Sequence, residues 1–123
     1  PDARRFAPPP AVTAPAPLVE EASSLLARSA RPVILAGRVS RDLGAWTARI
    51  ALAERLGAAV ITGLGTAAAF PTDHPLHVGA PGWFLSTAAQ ETLEAADLVL
   101  SLDWPDLAGA LRQAYRNAPV AAR

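Results

Sequence analysis

Residues 52–82 read LAERLGAAVITGLGTAAAFPTDHPLHVGAPG, and two changes of pattern inside this stretch decide the fold. Up to Leu56, the apolar residues Leu43, Trp46, Ile50, Ala53 and Leu56 recur at helical spacing and form one stripe. Gly57 stands where a helix closes in the left-handed conformation, which a residue without a β-carbon adopts at little steric cost. Ala58–Thr62 follows as a short, nearly continuous apolar run. A strand of that kind is buried on both faces, as in a parallel sheet covered by helices. From Gly63 the pattern dissolves into a long loop that contains Phe70-Pro71-Thr72-Asp73-His74-Pro75-Leu76, with glycines at Gly79 and Gly82.

The same alternation extends in both directions. Upstream, Leu18, Ala22, Leu25 and Leu26 repeat with a helical period over Leu18–Ser29. Glu20 and Glu21 are expected in its first turn and Arg28 in its last, as the helix dipole favours. Pro32 ends this helix, and Val33–Ala36 is a second fully apolar run. Downstream, Thr87-Ala88-Ala89-Gln90 fits a capping box opening a third helix to about Ala96. Asp97–Leu102 reads as the third strand. Asp106 is placed to cap a fourth helix with Leu107, Leu111, Ala114 and Tyr115 on its apolar face, stopped by Asn117 and Pro119. Strict alternation of strand and helix implies right-handed crossovers and a parallel sheet. The expectation is a Rossmann-like, three-layer α/β domain over residues 18–123, helices on both faces. Val120-Ala121-Ala122 reads as the start of one more strand, so the segment is expected to stop before the sheet is complete.

Residues 1–17 hold six of the 12 prolines. Proline fixes φ and disfavours helix, so this stretch is expected to be an extended, stiff interdomain linker. A Pro-rich ligand is the weaker reading, because Pro8-Pro9-Pro10 has no convincing basic anchor.

At 123 residues the chain has the length of one domain with a real core. Eleven cationic and 11 acidic side chains cancel, so nothing steers it toward nucleic acid or an anionic membrane. Every cation is Arg, which excludes a Schiff-base lysine and a Walker-type phosphate lysine. The absence of Cys removes disulfides, thiolate nucleophiles and Cys-ligated metals, and fits a cytoplasmic location. No apolar run reaches the roughly 18 residues of a membrane span. There is no Met even at position 1; a piece of a longer polypeptide is expected, initiator removal before Pro1 being the alternative.

The run from Phe70 to Leu76, followed by Gly79 and Gly82, resembles the signature GAFP-[ED]-DHPL-x-x-G-x-x-G. That signature marks the central domain of thiamine-diphosphate-dependent enzymes of the acetolactate synthase and benzoylformate decarboxylase type. Arg31–Gly37 (RPVILAG) and Leu93–Asp103 (LEAADLVLSLD) agree with it, and the likeness covers nearly everything after Leu18. The resemblance implies a Rossmann-like domain that performs no chemistry of its own. In the family, the catalytic glutamate and the Mg²⁺-diphosphate motif belong to the flanking pyrimidine- and diphosphate-binding domains. The parent would be a homo-oligomeric lyase or transferase that attacks a 2-oxo acid with a cofactor ylid and releases CO₂. Its central domain would space the cofactor-binding domains and help shape the dimer.

Some members of the family hold FAD or ADP at the carboxyl ends of the strands. The corresponding positions here are Gly37, Arg38, Thr62, Gly63 and Asp103. Three departures argue against FAD. Arg38 and Val39 replace further glycines. Asp103 stands where an Arg is expected, and a like charge near a phosphate is unfavourable by roughly 1 kcal/mol or more. Thr66-Ala67-Ala68 replaces the family's G-K-G. An autonomous adenine-nucleotide module remains the alternative reading. His74 and His77 are three apart, but Pro75 denies them a common helix face and no third ligand is near, so no metal is expected. Asp103 and Asp106 read more simply as turn former and helix cap than as an acid/base pair. No Ser sits in a G-x-S-x-G elbow. Trp83 and Phe84 occupy the loop where the family often has M-H-G. The resemblance places that loop near interdomain or intersubunit surfaces, which makes these two aromatics the expected interface residues.

Overall fold

Five consecutive buried residues, Pro32–Ala36, form β1 and become the middle of the sheet. A computed structural model describes residues 13–116 and 118–123. Residues 1–12, most of the expected linker, and Asn117, one of the expected stops of the last helix, lie outside them. The elements run α1 (Ala16–Arg28), β1, α2 (Leu43–Leu56), β2 (Ala59–Thr62), α3 (Thr87–Ala95), β3 (Leu98–Leu102) and α4 (Leu107–Tyr115). The strands are parallel in the order β2-β1-β3, with Ile34 opposite Val60 on one side and Leu100 on the other.

Side chains alternate across the sheet, so β1 feeds two cores. Val33 and Leu35 join Ile61, Ala89, Leu93, Ala114 and Tyr115 under α3 and α4. Ile34 and Ala36 join Val60, Ala53, Ala69 and Phe70 under α2 and the long loop. This is the expected α/β layering with helices on both faces. Burying Leu35 and Leu93, each 0% exposed, contributes about 2 kcal/mol apiece. The Tyr115 hydroxyl stays satisfied in the core by donating to the Leu93 carbonyl at 2.9 Å.

Several helix ends differ from expectation. α3 is capped by Ser86, whose hydroxyl accepts from the Ala89 N–H, rather than opened by a box at Thr87. The Gln90 side chain reaches past the cap to the Leu85 carbonyl. α1 begins at Ala16, and Pro17 falls in its first turn, where proline's missing N–H costs nothing. Glu20 and Glu21 are therefore past the first turn. Leu43, the first residue of α2, is 77% exposed rather than part of the core stripe. Gly57 takes φ 59° and Asp106 accepts from the Gly109 N–H, both as expected.

Asp97 ties the amino end of the sheet together. Its carboxylate accepts from the Ser29 hydroxyl and from the N–H groups of Ala30 and Arg31. These bonds, the Ser29 one foremost, hold its pKa below the ordinary carboxylate value. On the outer edge of β3, the Val99 N–H donates to the Arg123 carbonyl at 2.8 Å and the Arg123 N–H donates to the Asp97 carbonyl at 3.1 Å. That alternation is the pattern of a parallel ladder, although Val120–Ala122 are not strand.

Candidate functional site: the carboxyl edge of the sheet

The order β2-β1-β3 places the topological switch between β1 and β3, where an open α/β sheet offers a crevice to a ligand. Here that crevice is closed by the chain. The Gly37 N–H donates to the Leu102 carbonyl at 2.9 Å, the Arg38 N–H to the Asp103 carbonyl at 3.0 Å, and the Val39 N–H to the Gly37 carbonyl at 2.9 Å. Three successive amides that could have cradled a phosphate are thus engaged. A β-carbon on Gly37 would overlap the Asp103 carbonyl and Trp104 Cα, so glycine permits this backbone-to-backbone contact rather than approach by a ligand. Arg38 Nη2 pairs with Asp103 Oδ1 at 3.0 Å across the opening. Asp103 turns the backbone with φ 51°, a conformation that Asp tolerates better than most residues.

Gly37, Arg38 and Asp103 are therefore brought together, but against one another. Thr62 and Gly63 end the neighbouring strand. The Thr62 hydroxyl bonds His77 Nε2 at 2.9 Å. Gly63 forms a tight turn in which the Thr66 hydroxyl accepts from its N–H and donates to its carbonyl. The N-terminus of α2 carries the carboxylate of Asp42, which accepts from the Ala45 N–H at 3.0 Å. A negatively charged cap repels the phosphate that a helix N-terminus would otherwise attract. The residues present do not fit a dinucleotide.

Among the described residues no three His, Cys, Asp or Glu side chains cluster as metal ligands. His74 Nδ1 accepts from the Leu76 N–H and its Nε2 meets Glu54 Oε1 at 3.3 Å, while His77 bonds Thr62. Burial pushes the His77 ring below its ordinary pKa. Asp106 is taken up in capping α4 and Asp103 in the pair with Arg38.

The loop motif proves to be a brace. Phe70 is buried and meets the His74 ring edge-on, centroids 5.0 Å apart. The Val60 N–H donates to the Leu76 carbonyl and the Val78 N–H to the Val60 carbonyl, each at 2.8 Å. The loop thereby covers the outer edge of β2. Arg49 of α2 reaches the carbonyls of Ala69 at 3.0 Å and Ser40 at 2.9 Å. Further on, Leu85 is held on both sides, its N–H by Gln113 Oε1 and its carbonyl by Gln90 Nε2, each at 2.9 Å. Just before it, Trp83 is 83% and Phe84 78% exposed, over a small cleft of about 80 Å³ lined by Ile61, Val78, Leu85, Ala89, Trp104 and Asp106 among others. Sequence reasoning missed Arg49, Gln90, Gln113 and Asp97 as positioning residues. Only Gln90 carried a signal, and it was assigned to the wrong cap.

Loops that meet across the switch point, a parallel three-stranded sheet and a loop that braces its edge define a Rossmann-like domain. The chain belongs to the thiamine pyrophosphate enzyme central domain family, whose profile matches residues 19–104. It is 44% identical over 84 residues to the sulfoacetaldehyde acetyltransferase of Roseovarius nubinhibens, covering 68% of this chain and 14% of that protein. It is 31% identical over 84 residues to the acetolactate synthase large subunit of Corynebacterium glutamicum, covering 68% of this chain and 13% of that one. An X-ray structure assigned to a thiamin diphosphate-dependent enzyme of Mycobacterium smegmatis superposes with a TM-score of 0.53 at 26% identity, covering 76% of this chain and 20% of the other. The chain thus spans about one seventh of the curated relatives it matches. Among the described residues, no helix is long and apolar enough to cross a membrane.

Proposed function

We propose that these residues serve as the non-catalytic central domain of a cytoplasmic thiamine-diphosphate-dependent enzyme, spacing the two domains that bind the cofactor. The parent reaction, in this reading, is a 2-oxo acid decarboxylation or an acetolactate synthase-like transfer. The observation that carries the reading is the closed crevice. Gly37 packs on the Asp103–Trp104 backbone, the amides of Gly37, Arg38 and Val39 are bonded within the chain, and the Arg38 charge is paired with Asp103. Magnesium and thiamine diphosphate, in this reading, are held by flanking domains, and the parent is a homo-oligomer.

The test uses the 123-residue chain beside the longer polypeptide. Added thiamine diphosphate with Mg²⁺ leaves the melting temperature of the chain unchanged and raises that of the longer protein. Denaturing the purified chain releases no stoichiometric nucleotide or flavin. Release of either, or stabilisation of the chain by thiamine diphosphate, overturns the reading; released nucleotide favours the adenine-nucleotide module instead.

A further inference from the structure

Trp83 and Phe84 are exposed without being loose. The backbone that follows them is clamped by Gln90 and Gln113 through both polar groups of Leu85. Ser86 at once caps α3 and packs against Gly79, which needs its positive φ of 73° to pass. On the other flank, the Leu64 N–H donates to the Gly82 carbonyl at 3.4 Å, which brings Leu64, 51% exposed, beside the aromatics. A large aromatic held on a fixed support loses little entropy when it is covered, which is how an anchor differs from a stray surface residue.

Charge is scarce around the patch, where Asp106 stands on the wall of the cleft beneath the aromatics. No Asp, Glu, Lys or Arg occurs from Leu56 to Thr72 or from Val78 to Gln90, the two segments that build it. Charge depletion with aromatic enrichment marks the core of a permanent interface. The topology indicates which neighbour is at hand. α1 ends beside Asp97 at the amino end of the sheet, because Ser29 bonds that carboxylate. α1 borders β3, with Ala22, Leu25 and Leu26 beside Leu98–Leu100, and runs for 13 residues, about 20 Å at the helical rise, which carries its start toward the carboxyl edge. That is the edge that displays Trp83 and Phe84. Arg123, by contrast, meets the amino end of β3 at Asp97. Relatives are about seven times as long as the matched stretch, and a protein of that length has ample polypeptide to cover the patch.

We propose that Trp83 and Phe84, with Leu64, form a preassembled anchor onto which the domain connected ahead of α1 in the same polypeptide docks. This rests on the central-domain reading and assigns that reading a surface.

The chain has no cysteine, so Trp83→Cys and Phe84→Cys each introduce the single thiol of this segment. Labelling by a maleimide, mapped by peptide mass, is compared in the 123-residue chain and in the longer polypeptide, with Leu43→Cys as an exposed control. Melting temperatures of the variants verify folding. The expected result is rapid labelling of all three in the short chain. In the longer one, positions 83 and 84 label at least about tenfold more slowly while position 43 is unaffected. Equal labelling of 83, 84 and 43 in the longer polypeptide overturns the proposal. Protection in the short chain that grows with its concentration overturns it in favour of a second copy, and protection there at every concentration means the loop covers itself. Protection in the longer polypeptide that vanishes when the segment ahead of α1 is cut away by a protease confirms the occupant; protection that survives removal assigns another domain and overturns it. Thiamine diphosphate binding by the longer polypeptide is scored separately, so failure of the parent reading is distinguishable from failure of the anchor.

Discussion

Ala68 holds φ at 56°, a left-handed conformation that costs an L-residue with a β-carbon about 1–2 kcal/mol. It stands where the resemblance puts the second glycine of G-K-G, the residue type that takes this conformation most easily. Ala68→Gly should therefore stabilise the chain by about 0.5–1 kcal/mol, the strain relief exceeding the added freedom of the unfolded chain. Chemical denaturation with an unchanged slope checks it. Gly37 is the opposite case. Its φ is ordinary, but the Asp103 and Trp104 backbone occupies the space of its β-carbon. Gly37→Ala should cost about 3 kcal/mol, the upper part of the overpacking range, and separate the loops after β1 and β3. A melting temperature equal to that of the parent chain would show that the two loops are not in contact.

At the scale of elements, two side chains decide how segments hold together, and both respond to pH. Asp97 ties Ser29, Ala30 and Arg31 to the start of β3, and its pKa is lowered from 3.8. A carboxylate lowered on folding adds stability above its unfolded pKa and loses it as pH falls through the folded one. Asp97→Asn should lower the melting temperature at neutral pH and flatten its fall below about pH 4, relative to the parent chain. His77 binds the loop to β2 through Thr62, and burial lowers its pKa. The unfolded ring takes a proton near pH 6.5 while the folded ring resists it, so this contribution is present above about pH 6.5 and is lost as pH falls through the lower folded value. His77→Gln should remove part of the decline in melting temperature on acidification below about pH 6.5. An identical decline in the variant would assign that slope to other groups.

Across the whole molecule, 11 cations and 11 acids leave no net charge at pH 7, while Trp83, Phe84, Leu43, Leu18 and Val19 are each at least half exposed. Zero charge removes the repulsion that keeps apolar surfaces apart. The 123-residue chain should therefore be least soluble near neutral pH, and Trp83→Ser with Phe84→Ser should raise its solubility there without lowering its melting temperature. Turbidity against pH measures the first and thermal denaturation the second.

The layering was legible because each strand is short and almost wholly apolar and each helix carries a stripe, so period and length name the element and alternation names the sheet. Leu43 and the cap of α3 were not. Both depend on where an element ends relative to its neighbours, which local pattern does not encode. The candidate site was legible as a set of positions, Gly37, Arg38, Thr62, Gly63 and Asp103, and as a charge reversal at Asp103. What those positions do depended on contacts across 65 or so residues of chain, between Arg38 and Asp103. Glycine at the end of β1 is compatible both with a phosphate resting on bare amides and with another strand's loop resting there. Composition and period settle what must be buried and in which repeating unit, because apolar burial acts residue by residue. Whether the crevice stays open, and which aromatics remain on the outside, is settled by steric contact between segments distant in sequence, and that exists only once the sheet has assembled.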